Sequence, residues 1–318
     1  MNKPLISIII PVYNGIEYLS RCFKTLKNQA YSNLELIFVD NGSTDGSLDK
    51  INIFCEEISY AYLFKCKKVG PGYARNKGIE VANGDFISFL DVDDEISRDK
   101  HQILLDGFIK CPNAGMVVAQ TLKQYSDGRS YILDLSMLED KLTSAPNAGL
   151  IWIKNLSQNP QAGSYMVRRK IFEDSKIRFA DILYGEDIAF NVSVGLEYDI
   201  MKIDKTISTY HRHNKSAISY ANNKMTSLER YFSFYYKFAL NYLSKNNNIE
   251  PYKTAFKLCE IIAFRMLMRL IYQKEIIIYK NIYNQLRSEN MFNNLFYYHV
   301  IYYLLPFRLA NYIFQKLI

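Results

Sequence analysis

Hydrophobic and polar positions alternate along the first hundred residues in blocks that predict strands and helices in turn. Uninterrupted apolar, β-branched runs predict strands, whereas apolar residues spaced three or four positions apart predict helices. The predicted strands are Leu5–Val12, Leu34–Val39, Tyr60–Lys65 and Phe86–Leu90, and the helices between them are Ile16–Ala30, a segment capped at 43–45, and Pro71–Ala82. This alternation predicts a mainly parallel α/β sheet with helices on both faces.

The pattern is weaker beyond residue 100. Gly115–Gln120 predicts a further strand, and Ser126-Asp127-Gly128 predicts the turn of a β-hairpin. The segment 140–165 is rich in Asn, Pro and Ser, which predicts a long loop. Ile188–Leu196 predicts a short helix, and nearly all of the chain after Met225 has helix-forming composition. We therefore expect an α/β domain followed by a helical C-terminal region.

Composition and cysteine spacing narrow the class of protein. The 318 residues include 49% hydrophobic side chains, enough for a full core. The five cysteines are scattered without a CxxC pair, which argues against a zinc site or a disulfide framework and favours a reducing compartment. No signal-peptide pattern precedes the first predicted strand. We therefore expect a cytoplasmic protein.

Charge is distributed unevenly along the chain. Residues 1–220 carry 26 Lys+Arg against 27 Asp+Glu, whereas residues 221–318 carry 13 against five and hold 13 of the 26 tyrosines. Segment 292–318 is rich in Phe and Tyr but is interrupted by Pro306, Arg308 and Asn311, which favours a helix in the membrane interface over a spanning one. The alternative, in which these aromatic rings pack as a core against the preceding helices, has equal weight. The region shows no nucleic-acid motif, so we expect an anionic membrane surface as partner and no nucleic acid.

Polar residues follow three of the predicted strands. Strand one ends in PVYNG, strand two in Asp40-Asn41-Gly42-Ser43, and strand four in Asp91-Val92-Asp93-Asp94. The carboxyl ends of parallel strands meet at one edge of a sheet, where open α/β proteins bind ligands. Carboxylate oxygens also suit a hard divalent cation that touches phosphate. Helix capping would explain 43–45, but it would not explain acidic ends on two separate strands.

Five sequence runs, taken in order, resemble the family 2 glycosyltransferases of the GT-A fold. The runs are PVYNG, VDNGSTDGS, GPGYARNKG, FLDVDD and YGEDIAF, and the resemblance covers residues 5–215. It implies a catalytic domain over 1–220, with a nucleotide-binding half at 1–98 and an acceptor half at 99–220. The basic, Tyr-rich region 221–318 would follow it.

The resemblance also implies roles for residues at the strand ends. Arg75 would lie near the base or the diphosphate, Asp91 near the ribose, and Asp93 on Mn²⁺ or Mg²⁺ with Asp91 as its partner in the DxD pair. The remaining nucleotide contacts would be the uracil-facing carboxylate Asp40 and the backbone of Pro11, Val12, Tyr13 and Asn14. Many relatives carry two consecutive aspartates where this chain has Asp40-Asn41, so the contact with base or ribose is open.

In the second half, the resemblance makes Asp187 the general base and Glu186 a neighbour that orients the acceptor. Within the basic segment 210–216, His211 would be a second metal ligand and Arg212 a clamp on the diphosphate. A solvated basic loop is the alternative for this segment. The sequence assigns no role to His213.

These residues predict a metal-dependent, inverting glycosyltransferase. A carboxylate would accept the proton of the acceptor hydroxyl while a divalent cation stabilises the leaving nucleoside diphosphate. The expected donor is a UDP-sugar. The expected acceptor is a glycan or lipid-linked hydroxyl in bacterial surface polysaccharide synthesis, at the inner face of the cytoplasmic membrane. A dinucleotide-dependent oxidoreductase would need GxGxxG after strand one, which the chain lacks. An inactive binding relative would have lost Asp93 or Asp187, and both are present.

Overall fold

The structure, a computed structural model, describes residues 3–175, 177–182, 185–213 and 249–272 and the single positions 231, 234, 235, 238 and 243. The chain divides into two compact units, Met1–Ser216 and Ala217–Ile318. In the second unit the described residues include the long helix Tyr252–Tyr272. The predicted interfacial segment 292–318 lies outside the described residues. Among the described helices, none combines the length and the hydropathy needed to cross a membrane.

The first half of unit 1 is a parallel sheet with strand order β3-β2-β1-β4. Its elements are β1 (Ile6–Val12), α1 (Ile16–Lys27), β2 (Leu34–Asp40), α2 (Ser47–Glu57), β3 (Ala61–Lys65), α3 (Pro71–Val81) and β4 (Phe86–Phe89). Each element agrees with its predicted position to within a few residues. The β1–β2 register pairs Val12 with Asp40, so both strands end at the same edge.

The second half extends the same sheet in the order β4-β9-β6-β10-β5, with β7 beside β6 and β8 beside β10. Strand β9 runs antiparallel to both β4 and β6, whereas β10 runs parallel to β6. The elements are β5 (Glu95–Ile96), α4 (Lys100–Lys110), β6 (Met116–Tyr125), β7 (Ser130–Ile132), β8 (Leu142–Thr143), α5 (Asn147–Lys154), β9 (Tyr165–Arg168), α6 (Lys170–Asp174), α7 (Glu186–Glu197) and β10 (Ile200–Arg212). The predicted mixed, mainly parallel α/β fold with flanking helices is confirmed.

Aromatic side chains fill both sides of the sheet. On one face Phe38 of β2 meets Phe54 of α2 edge-on, with ring centroids 5.6 Å apart. On the other face Phe89 of β4 packs against Phe179 and Phe190, at 5.2 and 6.1 Å. Aromatic pairs at these separations contribute beyond the area that they bury. The second cluster fixes the start of α7 against the end of β4, and both elements carry candidate site residues.

The prediction of a long loop over 140–165 is wrong. The structure has β8 and α5 there, and two short 3₁₀ helices follow at Leu156–Gln158 and Ala162–Ser164. Trp152 of α5 is fully buried. Helix α5 crosses α7 where Gly149 faces Gly195, since a Cβ added to Gly195 would lie 2.6 Å from the Gly149 nitrogen. The polar composition of the segment favoured a loop, but helix α5 is stabilised by its packing on α7 rather than by local helix propensity.

Candidate active site

The ends of β1 and β2 form one continuous edge. The Asn41 N–H donates to the Val12 carbonyl at 2.8 Å, and the Thr44 N–H donates to the Asn14 side-chain oxygen at 2.8 Å. Asp40 is buried, and its carboxylate accepts the N–H groups of Gly42 and Ser43, both at 3.2 Å. Tyr13, between these contacts, is 58% exposed. The structure therefore brings the predicted nucleotide segment and Asp40 together on one surface.

Asn41 holds the neighbouring loop between β3 and α3. Its side-chain nitrogen donates to the Lys68 carbonyl at 2.6 Å, and its side-chain oxygen accepts the Gly70 N–H at 2.6 Å. An ionised aspartate could accept from Gly70 but could not donate to Lys68. The Asn41 amide can therefore make both hydrogen bonds to the loop between β3 and α3. Of the two neighbours Asp40 and Asn41, Asp40 alone supplies a carboxylate.

Arg75 of α3 joins two carboxylates from distant parts of the chain. Its guanidinium donates to Asp91 at 2.6 Å and to Glu186 at 2.9 Å, and it lies over the Phe179 ring with 5.3 Å between the guanidinium carbon and the ring centroid. Only 4% of the Arg75 side chain is exposed. The family resemblance implied a place for Arg75 near the base or the diphosphate, which stays a prediction. In the structure its two terminal nitrogens pair with the first aspartate of DxD and with the glutamate of the ED pair.

Helix α7 begins with the two predicted catalytic acids, Glu186 and Asp187, directly after Gly185, whose φ of 84° is left-handed. The Ile188 N–H donates to Asp187 Oδ1 at 2.9 Å. The negative charge of Asp91 acts on Asp187, so the structure brings the ED pair and the first DxD aspartate into the same part of the site.

The electrostatics of this group keep an acidic proton near neutral pH. Burial, helped by the charge of Asp187 and opposed by Arg75, raises the pKa of Glu186 to about 7. Burial also raises the pKa of Asp187, against the opposing effects of Arg75 and the Ile188 N–H. The physical reason is that Asp91, Glu186 and Asp187 share one guanidinium in a site of low dielectric. Perturbed carboxylates of this kind are typical of acid–base sites.

The second DxD aspartate lies against a histidine. Asp93 Oδ2 is 2.9 Å from Nε2 of His213, and Nδ1 of His213 is 3.2 Å from the Tyr18 hydroxyl of α1. Arg21 of α1 donates to the Asp93 carbonyl, and an ion pair of 3.6 Å joins it to Glu95. A carboxylate oxygen and an imidazole nitrogen that converge in this way are donors that Mn²⁺ accepts. The pair therefore fits a divalent cation that takes its other ligands from phosphate and water.

The role of His211 as a metal ligand stays a prediction, and in the structure its side chain contacts Glu95. Its Nε2 lies 2.8 Å from Glu95, and its backbone N–H donates to Asp94 at 3.0 Å. His211 is the penultimate residue of β10, whereas His213 follows the end of the strand and reaches Asp93. In the described part of the chain, no three His, Cys, Asp or Glu side chains surround a common metal position. Among the described residues, the candidate metal site therefore has two protein donors, Asp93 and His213.

Asp94 is the most buried acid of the DxDD segment. Burial and the charges of Asp93 and Asp91 raise its pKa well above the ordinary value, against the opposing hydrogen bond from the His211 N–H. Arg212 ends β10 on the Tyr125 ring, with 5.6 Å between its guanidinium carbon and the centroid. The predicted diphosphate clamp therefore lies beside the β6–β7 hairpin.

Comparison with known proteins identifies the family and the fold. The family model described as glycosyl transferase family 2 matches residues 7–176. An uncharacterised glycosyltransferase of Haemophilus influenzae is 50% identical over 101 residues, which are 31% of this chain and 40% of the relative. The putative glycosyltransferase EpsH of Bacillus subtilis is 38% identical over 99 residues, 31% of this chain and 29% of the relative. The chain thus spans well under half the length of these curated relatives.

Two solved structures share the fold over most of the chain. Residues 1–349 of Staphylococcus aureus TarS, crystallised with UDP-GlcNAc, superpose with a TM-score of 0.61 at 16% identity, over 90% of this chain and 92% of that one. The mannosyltransferase PcManGT of Pyrobaculum calidifontis, solved with GDP-Man and Mn²⁺, gives a TM-score of 0.54 at 13% identity, over 93% and 86%. At these identities the likeness concerns the fold alone.

Proposed function

Because the chain belongs to glycosyl transferase family 2, we propose that it transfers a sugar from a nucleotide-sugar to a hydroxyl group with inversion at the anomeric carbon. One observation carries the proposal. The guanidinium of Arg75 joins Asp91 at the end of β4 to Glu186 at the start of α7, so the donor-side and acceptor-side acids share one site.

The edge formed by β1 and β2 is the proposed donor surface. The backbone of 11–14 lines the nucleotide, Asp40 faces a uracil, and Asp91 lies toward the ribose. A UDP-sugar is the proposed donor, in line with the UDP-GlcNAc bound in the TarS structure. Because the mannosyltransferase binds GDP-Man, a GDP-sugar is the second donor to test against the UDP-sugars.

Asp93 and His213 are the proposed protein ligands of a Mn²⁺ or Mg²⁺ ion. When bound, such an ion stabilises the negative charge of the leaving diphosphate. The residues of the chain prepare the two donors: Tyr18 contacts Nδ1 of His213, which directs Nε2 toward Asp93. An oriented imidazole of this type is the usual arrangement of a histidine ligand.

Asp187 is the proposed general base. Its Oδ1 accepts the Ile188 N–H, and its Oδ2 takes the proton of the acceptor hydroxyl. A bond forms between the acceptor oxygen and the anomeric carbon while the bond from that carbon to the diphosphate oxygen breaks. Attack from the face opposite the leaving group requires one base and no enzyme nucleophile. Glu186, fixed by Arg75, orients the acceptor beside the base.

The proposed acceptor is a glycan or a lipid-linked sugar of the cell surface, used at the inner face of the cytoplasmic membrane. Support comes from the basic composition of 221–318, with 13 Lys+Arg against five Asp+Glu. Basic segments of this kind are attracted to anionic lipid surfaces.

The decisive experiment is a screen for hydrolysis of nucleotide-sugars by the full chain with Mn²⁺. We expect slow release of UDP from one sugar nucleotide, loss of release with EDTA, and a fall of about 10²-fold or more in Asp187→Asn, because the base is removed. Asp106→Asn, an exposed acid of α4, is the matched control and should hydrolyse like the wild type. Absence of both binding and turnover for every nucleotide-sugar would refute the proposal.

A further inference from the structure

Two cations of the second half of the sheet, Lys123 and Arg212, lie close enough together to act on each other electrostatically. Lys123 of β6 is half-buried, and burial together with the positive charge of Arg212 lowers its pKa. In the part of the chain that the structure describes, both side chains hydrogen-bond Tyr125 and neither forms an ion pair with an acid. The nearby Arg129, by contrast, is paired with Asp127 at 2.7 Å. Like charges held together in a half-buried setting are unfavourable unless an anion binds between them.

Strand register places three tyrosines on the same face as these cations. Tyr210 of β10 and Tyr131 of β7 both pair with Lys123, and Arg212 pairs with Tyr125. The Lys123 ammonium lies 5.5 Å from the Tyr210 centroid, 5.6 Å from Tyr125 and 5.7 Å from Tyr131. We call these five residues the cationic tyrosine cage.

The rings stabilise the cations only in part. A cation over an aromatic ring within about 6 Å is stabilised by the ring, but less than by a charged partner when water is excluded. The hydrogen bond from Tyr131 is the largest cause that lowers the pKa of the Tyr125 phenol, and the positive charges of Lys123 and Arg212 lower it further. The cage thus combines two cations with three aromatic rings. The cations fit an anionic group, and the rings fit the apolar face of a ring carried by the same ligand.

The cage lies next to the candidate active site but on separate residues. Ser208 of β10, two residues before Tyr210 and therefore on the same face, packs beneath Gly163 and is 2.9 Å from the Thr121 hydroxyl. The charges of Asp94 and Asp93 act on the Tyr210 phenol. His211, which alternates to the other face, contacts Glu95 instead.

We propose that the cationic tyrosine cage binds an anionic group, a phosphate or a carboxylate, carried by the sugar acceptor. Lys123 and Arg212 pair with the anion, and the acceptor's sugar ring packs on Tyr131, which is 47% exposed. Arg212 then serves the acceptor rather than the donor diphosphate. That this ligand is the sugar acceptor rests on the proposed transferase function, whereas the preference of the cage for an anionic sugar does not.

Direct binding tests the cage without turnover. The probes are two matched pairs that differ in charge, methyl β-glucuronide against methyl β-glucoside and glycerol 1-phosphate against glycerol, measured by ligand-detected NMR on the full chain with and without saturating UDP. We expect the charged member of at least one pair to bind about 10-fold more tightly, and added salt to weaken it. The pair that discriminates tells carboxylate from phosphate.

Variants assign the effect to named side chains. Lys123→Gln and Arg212→Gln should each lower affinity for the charged probe by roughly 5- to 10-fold, since each removes one charge-assisted contact. Arg129→Gln is the matched control: this guanidinium also lies over the Tyr125 ring, 5.1 Å from its centroid, but Asp127 already neutralises it. We expect the affinity to change by less than about twofold. Tyr131→Ala should weaken charged and neutral probes alike.

Three results would overturn the inference: equal affinity for charged and neutral probes, unchanged affinity in Lys123→Gln, or competitive displacement of the charged probe by UDP, which would assign the cations to the donor diphosphate. A chain that hydrolyses no nucleotide-sugar but discriminates the probes would refute the transferase proposal and support the cage.

Discussion

The Nε2 atom of His213 lies 2.9 Å from Oδ2 of Asp93, whereas His211, two residues earlier, is directed at Glu95. The two histidines are separated by a single arginine, yet of their two side chains only that of His213 contacts an aspartate of the DxD pair. The difference arises because β10 ends at Arg212. The side chain of His213 therefore does not have to follow the alternation of side chains between the two faces of the strand.

Replacement of His213 by Ala should lower Mn²⁺ affinity by about 10-fold or more, because one of the two protein donors found among the described residues is lost. The measurement is electron paramagnetic resonance of free Mn²⁺ during titration in the presence of UDP. His211→Ala is the paired control and should change Mn²⁺ affinity by less than about threefold. A larger loss in His211→Ala than in His213→Ala would reverse the assignment.

Tyr18→Phe should weaken Mn²⁺ binding through the orientation of His213. The Tyr18 hydroxyl contacts Nδ1 of His213 at 3.2 Å and also hydrogen-bonds Glu17, so it holds the imidazole from the side away from Asp93. Loss of such a partner costs about 10-fold in metal affinity. Tyr62→Phe, on β3 and 46% exposed, is the control. Equal Mn²⁺ affinity in Tyr18→Phe and wild type would show that ring packing alone orients His213.

The parallel half of the fold was predictable because each strand is a continuous apolar run and each helix has an apolar stripe. The β1–β4 strands and the strand-end acids follow from that pattern and from the rule that parallel strands end at one edge. The link between Arg75 and Glu186 spans 111 positions and carries no local signal. Its recognition needed the fold, because an arginine in a helix is equally consistent with an exposed site.

The second half was less predictable for reasons of packing. Helix α5 contains a mostly apolar run from Ala148 to Ile153. The Asn, Pro and Ser residues around this run nevertheless favoured a loop when only neighbouring residues were considered. Its stability depends on contact with α7, which no window of neighbouring residues contains. The antiparallel position of β9 between β4 and β6 likewise depends on long-range pairing.

Arg75→Lys should destabilise the fold and abolish donor hydrolysis. Lysine carries one ammonium and cannot bridge Asp91 and Glu186 as the guanidinium fork does. Because Arg75 is 4% exposed, one carboxylate is left without its partner, and we expect a loss of about 2–4 kcal/mol in the free energy of unfolding. Urea denaturation measures it. Arg129→Lys, at an exposed ion pair, should change stability by less than about 0.5 kcal/mol, and an equal effect in both would contradict the bridging role.

Gly195→Ala should destabilise the fold at the crossing of α5 and α7. The added Cβ would lie 2.6 Å from the Gly149 nitrogen and 2.8 Å from the Trp152 ring. Backbone on the facing helix cannot rotate away as a side chain can, so we expect a cost of about 1–3 kcal/mol despite the better helix propensity of alanine. Thermal denaturation gives the change. Gly163→Ala meets its nearest atom at 3.4 Å and should be tolerated; a stable Gly195→Ala would mean that the helices can separate freely.

Glu186 should make the stability of the protein depend on pH between about 5 and 7. Its folded pKa of about 7 exceeds the value of roughly 4.3 in an unfolded chain. In that interval the folded protein holds a proton that the unfolded chain has released, so stability falls as pH rises, by up to about 1.4 kcal/mol per pH unit. Above pH 8 the contribution of Glu186 becomes constant, because both states are then ionised.

Urea denaturation of wild type and Glu186→Gln across this pH range isolates the effect, because the other titrating groups are common to both proteins. The free energy of unfolding of the wild type should fall relative to that of Glu186→Gln from pH 5 to pH 7. Glu57→Gln, which removes an exposed acid paired with Lys27, should run parallel to the wild type over the same range. If the curve of Glu186→Gln is also parallel, Glu186 is already ionised at pH 5, and Arg75 outweighs both burial and the charge of Asp187.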